Sequence, residues 1–111
     1  MPPPVHLGEF EHLVLLAILR LGAQAHGAAI GGELEARAQR RVSRGALYTT
    51  LDRLEDKGLV RWKIAPGGDE RAHLPRRVYT ATARGVGAVR AAQHAVRQLS
   101  RGLDAVLKEP Y

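Results

Sequence analysis

The stretch GALYTTLDRLEDKGLVRW, Gly45 to Trp62, places leucines at helical spacing, then a glycine, then a short alternating run. Leu47, Leu51 and Leu54 recur at steps of four and three, so they share one face of an α-helix, with Gly45, Tyr48, Thr49 and Asp52 around the other. Ser43 is the expected N-cap before Arg44, and Gly58 stands where a C-cap glycine belongs. LVRWKI then alternates as a strand, with Val60, Trp62 and Ile64 on one side. After the turn-rich PGGDERAHLPRR, the run VYTA returns as a second strand, which closes a hairpin.

Upstream, EFEHLVLLAILRL reads as a helix with Phe10, Leu13, Val14, Ala17, Ile18 and Leu21 on one stripe. Leu15, Leu16 and Leu19 make it apolar nearly all round, so a second surface is expected to cover it. A further helix, GAAIGGELEARAQ, starts at Gly27 with Ile30, Leu34 and Ala38 inward. Downstream, Thr82 is a good N-cap for one long helix running to Pro110, in which Val89, Ala92, Val96, Leu99, Leu103 and Val106 follow the a/d spacing of a coiled-coil seam. The order helix, helix, helix, hairpin is that of a winged helix-turn-helix. The expected fold is therefore mainly α with a small β-hairpin (α+β): a winged-helix unit over 1–81 and a C-terminal dimerisation helix over 82–111. The expected dimer contacts are Leu15, Leu16 and Leu19 of the first helix with Val89, Val96, Leu99, Leu103 and Val106 of the last.

A chain of 111 residues without cysteine has room for one modest core, and forms neither a disulfide framework, nor a cysteine zinc site, nor a thiol nucleophile. No apolar run approaches the roughly 20 residues of a membrane span, and MPPPVHLGEF lacks the pattern of a signal peptide, so the cytoplasm is the expected location. His6, His12, His26, His73 and His94 show no metal-ligand spacing, Ser43 and Ser100 lie outside any nucleophile motif, and the Gly-Gly pairs lack a following phosphate-loop lysine. Neither an enzyme nor a metal or cofactor site is expected. The net charge of +6 is unevenly distributed: residues 1–36 carry one base and four acids, 37–84 twelve and five, and 85–111 four and two. A +7 central segment coinciding with the folded elements suggests a polyanion-binding face, since each phosphate neutralised releases counterions.

A recognition helix puts its N-terminal outward residues into the major groove, where they should be small or able to hydrogen-bond. Gly45 permits close backbone approach and Thr49 can meet a base edge or a thymine methyl, while Arg44 and Tyr48 flank them within reach of phosphates; Ser43 and Arg53 complete the expected DNA-binding set of this helix. Asp52 and Asp56 would repel phosphate, so they should tilt away from the duplex or hold arginines in place. Arg71, Arg76 and Arg77 flank the hairpin tip and are the expected backbone contacts of the wing. Trp62 and Tyr79 read as hairpin core.

LGEFEHLVLLAILRL, HGAAIGGELE, VSRGALYTTLDRLEDKGLVRW and RRVYTATARG, followed by a single closing helix, resemble a PadR-type transcriptional regulator of the short form, over residues 7 to about 100. His26-Gly27 stands where the family usually has Tyr-Gly, and Ala81-Thr82 where it usually has Leu-Thr. The resemblance implies a winged-helix domain that binds double-stranded DNA and a homodimer built by the closing helix. It also implies repression relieved by a small molecule, for which a small aromatic compound is the candidate effector. The alternative is a winged helix used as a protein interaction module, which the basic central segment disfavours; RNA binding is disfavoured by the lack of exposed aromatics.

Overall fold

A computed structural model of the chain describes residues 6–65 and 76–108. Helix α1 (Glu9–Leu21) leads through a 3-10 turn (Gly22–Gln24) to α2 (Gly27–Ala38) and α3 (Arg44–Asp56). Strands β1 (Val60–Ala65) and β2 (Arg76–Ala81) follow, then α4 (Ala83–Ser100) and a short α5 (Asp104–Lys108). This is the winged-helix order with α4 and α5 added at the C-terminal end.

The ends of α3 are set by its own local sequence. The Ser43 hydroxyl accepts the Ala46 N–H at 3.1 Å, satisfying one of the free amides of the first turn. At the other end Gly58 takes a φ of +76°, and the Gly58 and Leu59 amides donate back to the Glu55 and Leu54 carbonyls, both at 2.9 Å. That turn drops Leu59 into the core beside Val14, Leu15, Ile18, Ile30, Leu34, Leu51, Leu54 and Tyr79. On α3, Leu47, Thr50, Leu51 and Leu54 are buried, and the Thr50 hydroxyl is satisfied by donating to the Ala46 carbonyl at 3.0 Å.

The strands pair antiparallel, with Trp62 opposite Tyr79 and Ile64 opposite Arg77. The Tyr79 N–H also donates to the Ala25 carbonyl at 2.8 Å, and His26 makes an isolated bridge to Val78, so the segment entering α2 is joined to β2 of the two-stranded hairpin. The base of the wing is thereby fastened to the start of α2.

Thr82 joins the hairpin to α4. Its amide donates to the Leu59 carbonyl at 3.0 Å, and its hydroxyl donates to the Gly58 carbonyl at 2.7 Å while accepting the Gly85 N–H at 3.0 Å. One side chain thus caps α4 and ties it to the end of α3. Gly85 lies so close to Leu59 that a Cβ there would run into the Leu59 carbonyl group.

A second tie joins α1 to the end of α3. The Lys57 Nζ contacts both carboxylate oxygens of Glu11, at 2.8 and 2.9 Å, and the Gly8 N–H donates to the same carboxylate at 2.8 Å. Glu11 is one of two buried polar residues among those described. Burial pushes its pKa upward, but the Lys57 hydrogen bond, the Gly8 amide and the Lys57 and Arg53 charges together bring it below the ordinary value.

The long closing helix expected from Thr82 onward is instead broken in two. Arg101 is extended, Gly102 takes a φ of +82°, and α5 starts afresh at Asp104. Gly102 costs little in the left-handed region and disfavours helix continuation, so the break falls there. Leu103 therefore lies in the connection, and Val106 on a separate short helix. Beyond Val89 the C-terminal part touches little of the domain: Val96, Leu99, Leu103, Val106 and Leu107 are all exposed. The radius of gyration, 15.8 Å, exceeds the roughly 13 Å of a compact domain of this length, as an arm held away from the core requires. Among the described residues no helix is long and apolar enough to cross a membrane.

Candidate nucleic-acid interface

The first turns of α3 expose Ser43, Arg44, Gly45, Ala46 and Thr49 to solvent, while Leu47 and Thr50 turn inward. A Cβ on Gly45 would meet nothing within 4 Å. Nothing inside the described chain therefore requires glycine there, although a glycine within a helix costs about 0.5–1 kcal/mol relative to alanine. The cleared space faces outward.

Tyr48 is not on that outer face. It is half-buried, with its ring laid against Gly27 at the start of α2, where a Cβ would come within 3.0 Å of the ring carbon bearing the hydroxyl. Position 48 lies on the flank between the buried leucine stripe and the outer face, and the missing side chain at Gly27 opens a slot for it. Its exposed contact is with Arg44, whose guanidinium carbon lies 5.5 Å from the ring centroid. Tyr48 thus braces α2 against α3 and supports Arg44. Arg53 is exposed one turn beyond Thr49, and its positive charge reaches Glu11.

Arg76 and Arg77 are neighbours in sequence but lie on opposite faces of β2, because side chains alternate along a strand. Arg76 is half-buried opposite Ala65, and its charge bears on His26. The pKa of His26 is lowered, first by burial and then by Arg76, which favours the neutral ring whose Nδ1 accepts the Ala29 N–H at 3.4 Å as the cap of α2. Arg77 is exposed and stacks over Trp62, with its guanidinium carbon 4.1 Å from the ring centroid. Arg71 lies outside the described residues. Among the described residues, the outward-facing cations of α3 and the hairpin are thus Arg44, Arg53, Arg61, Lys63 and Arg77, with Asp52, Glu55 and Asp56 exposed on the later half of α3.

The expected dimer contacts divide into two groups. Leu15 and Val89 are buried in the domain's own core, 0% and 7% exposed, and so offer a partner little side-chain surface. Leu16 is half-buried, and Leu19, Val96, Leu99, Leu103 and Val106 are exposed, Leu99 the most at 81%. Leu19 also lines a groove of about 600 Å³ between the end of α1 and the hairpin, together with Ile18, Gly22, Lys63 and Ile64. Among the described residues no cluster of three or more His, Cys, Asp or Glu side chains is placed to hold a metal ion.

Three contacts around this face have no sequence signature of their own: the Glu11–Lys57 pair, the laying of Tyr48 on Gly27, and the stacking of Arg77 on Trp62.

The model of the transcriptional regulator PadR-like family matches residues 15–91, more than half of the chain. Several solved structures share the fold. A PadR family transcription regulator from Clostridium difficile superposes with a TM-score of 0.72 at 19% identity, covering 90% of this chain and 99% of that one. The hsRosR complex structure is 30% identical with a TM-score of 0.65, over 86% of this chain and 76% of the other. F93 from STIV, a winged-helix DNA-binding protein, gives a TM-score of 0.70 at 17% identity, covering 88% of this chain and 98% of that one. None of the curated proteins matches the chain significantly.

Proposed function

Because the chain belongs to the PadR-like family of transcriptional regulators, we propose that it acts as a homodimeric repressor on a roughly palindromic promoter site. The N-terminal half of α3 enters the major groove and the hairpin rests on the flanking backbone. The observation that carries this reading is the outward face of Arg44, Gly45 and Thr49 at the start of α3, with open space at Gly45. A small face with a hydroxyl and a guanidinium suits close approach to base edges. The +7 charge of residues 37–84 adds the sequence-independent attraction.

A gel shift over promoter fragments at two salt concentrations tests the reading, and absence of binding to any duplex would favour a protein interaction module instead. Thr49→Ala should lose discrimination at one definable base pair, by about 1–3 kcal/mol, with little change on random duplex. Unchanged selectivity would move base reading off α3.

The dimer forms where exposed apolar surface remains, between Leu16 and Leu19 of one protomer and Val96 and Leu99 of its partner. Val96 and Leu99 are exposed in the monomer, so charging them should spare its fold. Val96→Asp/Leu99→Asp should sediment as a folded monomer, because an interface that buries unpaired carboxylates loses several kcal/mol. A variant that remains a dimer places the interface elsewhere. A small aromatic effector would relieve repression by preferring a dimer geometry that misplaces the two α3 helices.

A further inference from the structure

Trp62 is the only tryptophan of the chain, and it lies at the base of the wing. Its cross-strand partner Tyr79 is 1% exposed and belongs to the core, which holds the indole from one side. Its indole N–H is buried without a hydrogen-bond partner among the described residues, so packing rather than hydrogen bonding keeps the ring in place. Arg77 shares this face of the hairpin and covers the ring at 4.1 Å. A guanidinium lying on an aromatic face keeps its in-plane N–H edge free, and that edge is the part that meets a phosphate bidentately.

We propose that Trp62 is a positioning residue for DNA binding: its ring holds the Arg77 guanidinium by stacking, so that the N–H edge is presented to a backbone phosphate beside α3. The proposal rests on the DNA-binding reading above. A free arginine loses its rotamer freedom when it meets a phosphate, whereas one already lying on a ring has less to lose.

The test measures duplex affinity of the full chain at several salt concentrations, with Trp62 fluorescence recorded alongside. Arg77→Lys keeps the charge but lacks the planar edge, and at an exposed site it leaves the core untouched. It should weaken binding about 2- to 5-fold with an unchanged salt slope, as expected for loss of one exposed cation–π contact, and should shift the Trp62 emission. Arg77→Ala should lower the salt slope by about one. Trp62→Leu should weaken binding in the wild-type background and cost nothing further in the Arg77→Ala background, while Trp62→Phe, which keeps a ring face, should recover part of the loss. Equal losses from Trp62→Leu with and without Arg77 would mean a purely structural role. Duplex binding unchanged by Arg77→Lys overturns this inference alone, whereas a wild-type chain that binds no duplex at any salt overturns the DNA-binding reading and this inference together.

Discussion

Gly85→Ala is expected to destabilise the protein by about 3 kcal/mol, the upper range for overpacking a filled site. For a domain of this size that lowers the melting temperature by roughly 12–24 °C. The sign is the informative part, since glycine to alanine within a helix ordinarily stabilises by about 0.5–1 kcal/mol. At Gly85 the new methyl would run into the Leu59 carbonyl oxygen and lie only 3.1 Å from its carbon. Both are backbone atoms held on two sides: the Leu59 carbonyl accepts the Thr82 N–H, and the Leu59 N–H donates to Leu54. Neither can swing aside like a side chain, so the first turn of α4 must lift off the end of α3. Gly87, two residues on, supplies the control, because a Cβ there meets nothing within 4 Å. Gly87→Ala should be neutral or slightly stabilising. Urea and thermal denaturation of the two variants decide the matter, and equal stabilities would mean that the close approach at Leu59 is not a constraint.

Lys57→Met should cost a similar amount, about 3 kcal/mol at neutral pH, by leaving the Glu11 carboxylate buried without its cation. Both partners are shielded from water, with side-chain exposures of 30% for Lys57 and 8% for Glu11, so solvent replaces little of the lost interaction. The pH dependence identifies the cause. In the wild type the folded-state pKa of Glu11 lies below the ordinary value of 4.5, so its stabilising contribution is fully present above that value. It is lost as the pH falls through the folded-state value. Without Lys57, burial dominates and the folded-state pKa rises, so Glu11 takes up a proton earlier and the charge penalty disappears. The stabilities of wild type and Lys57→Met should therefore converge as the pH is lowered from 7 toward 4. A second substitution, Glu11→Gln, should recover part of the loss at pH 7 by removing the unpaired charge. A penalty that is independent of pH would assign the effect to lost packing of the lysine stem. The pair ties α1 to the end of α3, so the same variant should loosen α3 relative to α1.

Much of the fold was legible because its signals are local. The caps at Ser43, Gly58 and Thr82 each depend on hydrogen bonds reaching at most five residues, and the inward face of α3 follows from a 3.6-residue period alone. The residues whose surroundings the local signals do not settle share a different property. Tyr48 lies on the flank of α3, where the helical period allows either side, and the slot over Gly27 decides between them. Leu15 and Val89 satisfy the spacing expected of a partner-facing seam, but spacing does not distinguish the chain's own core from a second copy. The a/d pattern runs on through Gly102, and its apolar spacing is indifferent to the backbone turn that ends α4 there. The alternation that separates Arg76 from Arg77 is visible in the sequence, but only strand pairing shows which of them lies over Trp62.

By itself, then, the sequence determined the order of elements from α1 to the start of α4, the boundaries of α3 and its small, hydrogen-bonding outward face, because propensity, capping and periodicity act within a turn or two of the chain. Tertiary structure alone decided the contacts between elements: Glu11 with Lys57, 46 residues apart, Gly85 against Leu59, Tyr48 on Gly27, and Arg77 on Trp62. Each depends on how two elements meet in space, and a meeting of that kind depends on the packing of the whole core rather than on any one segment.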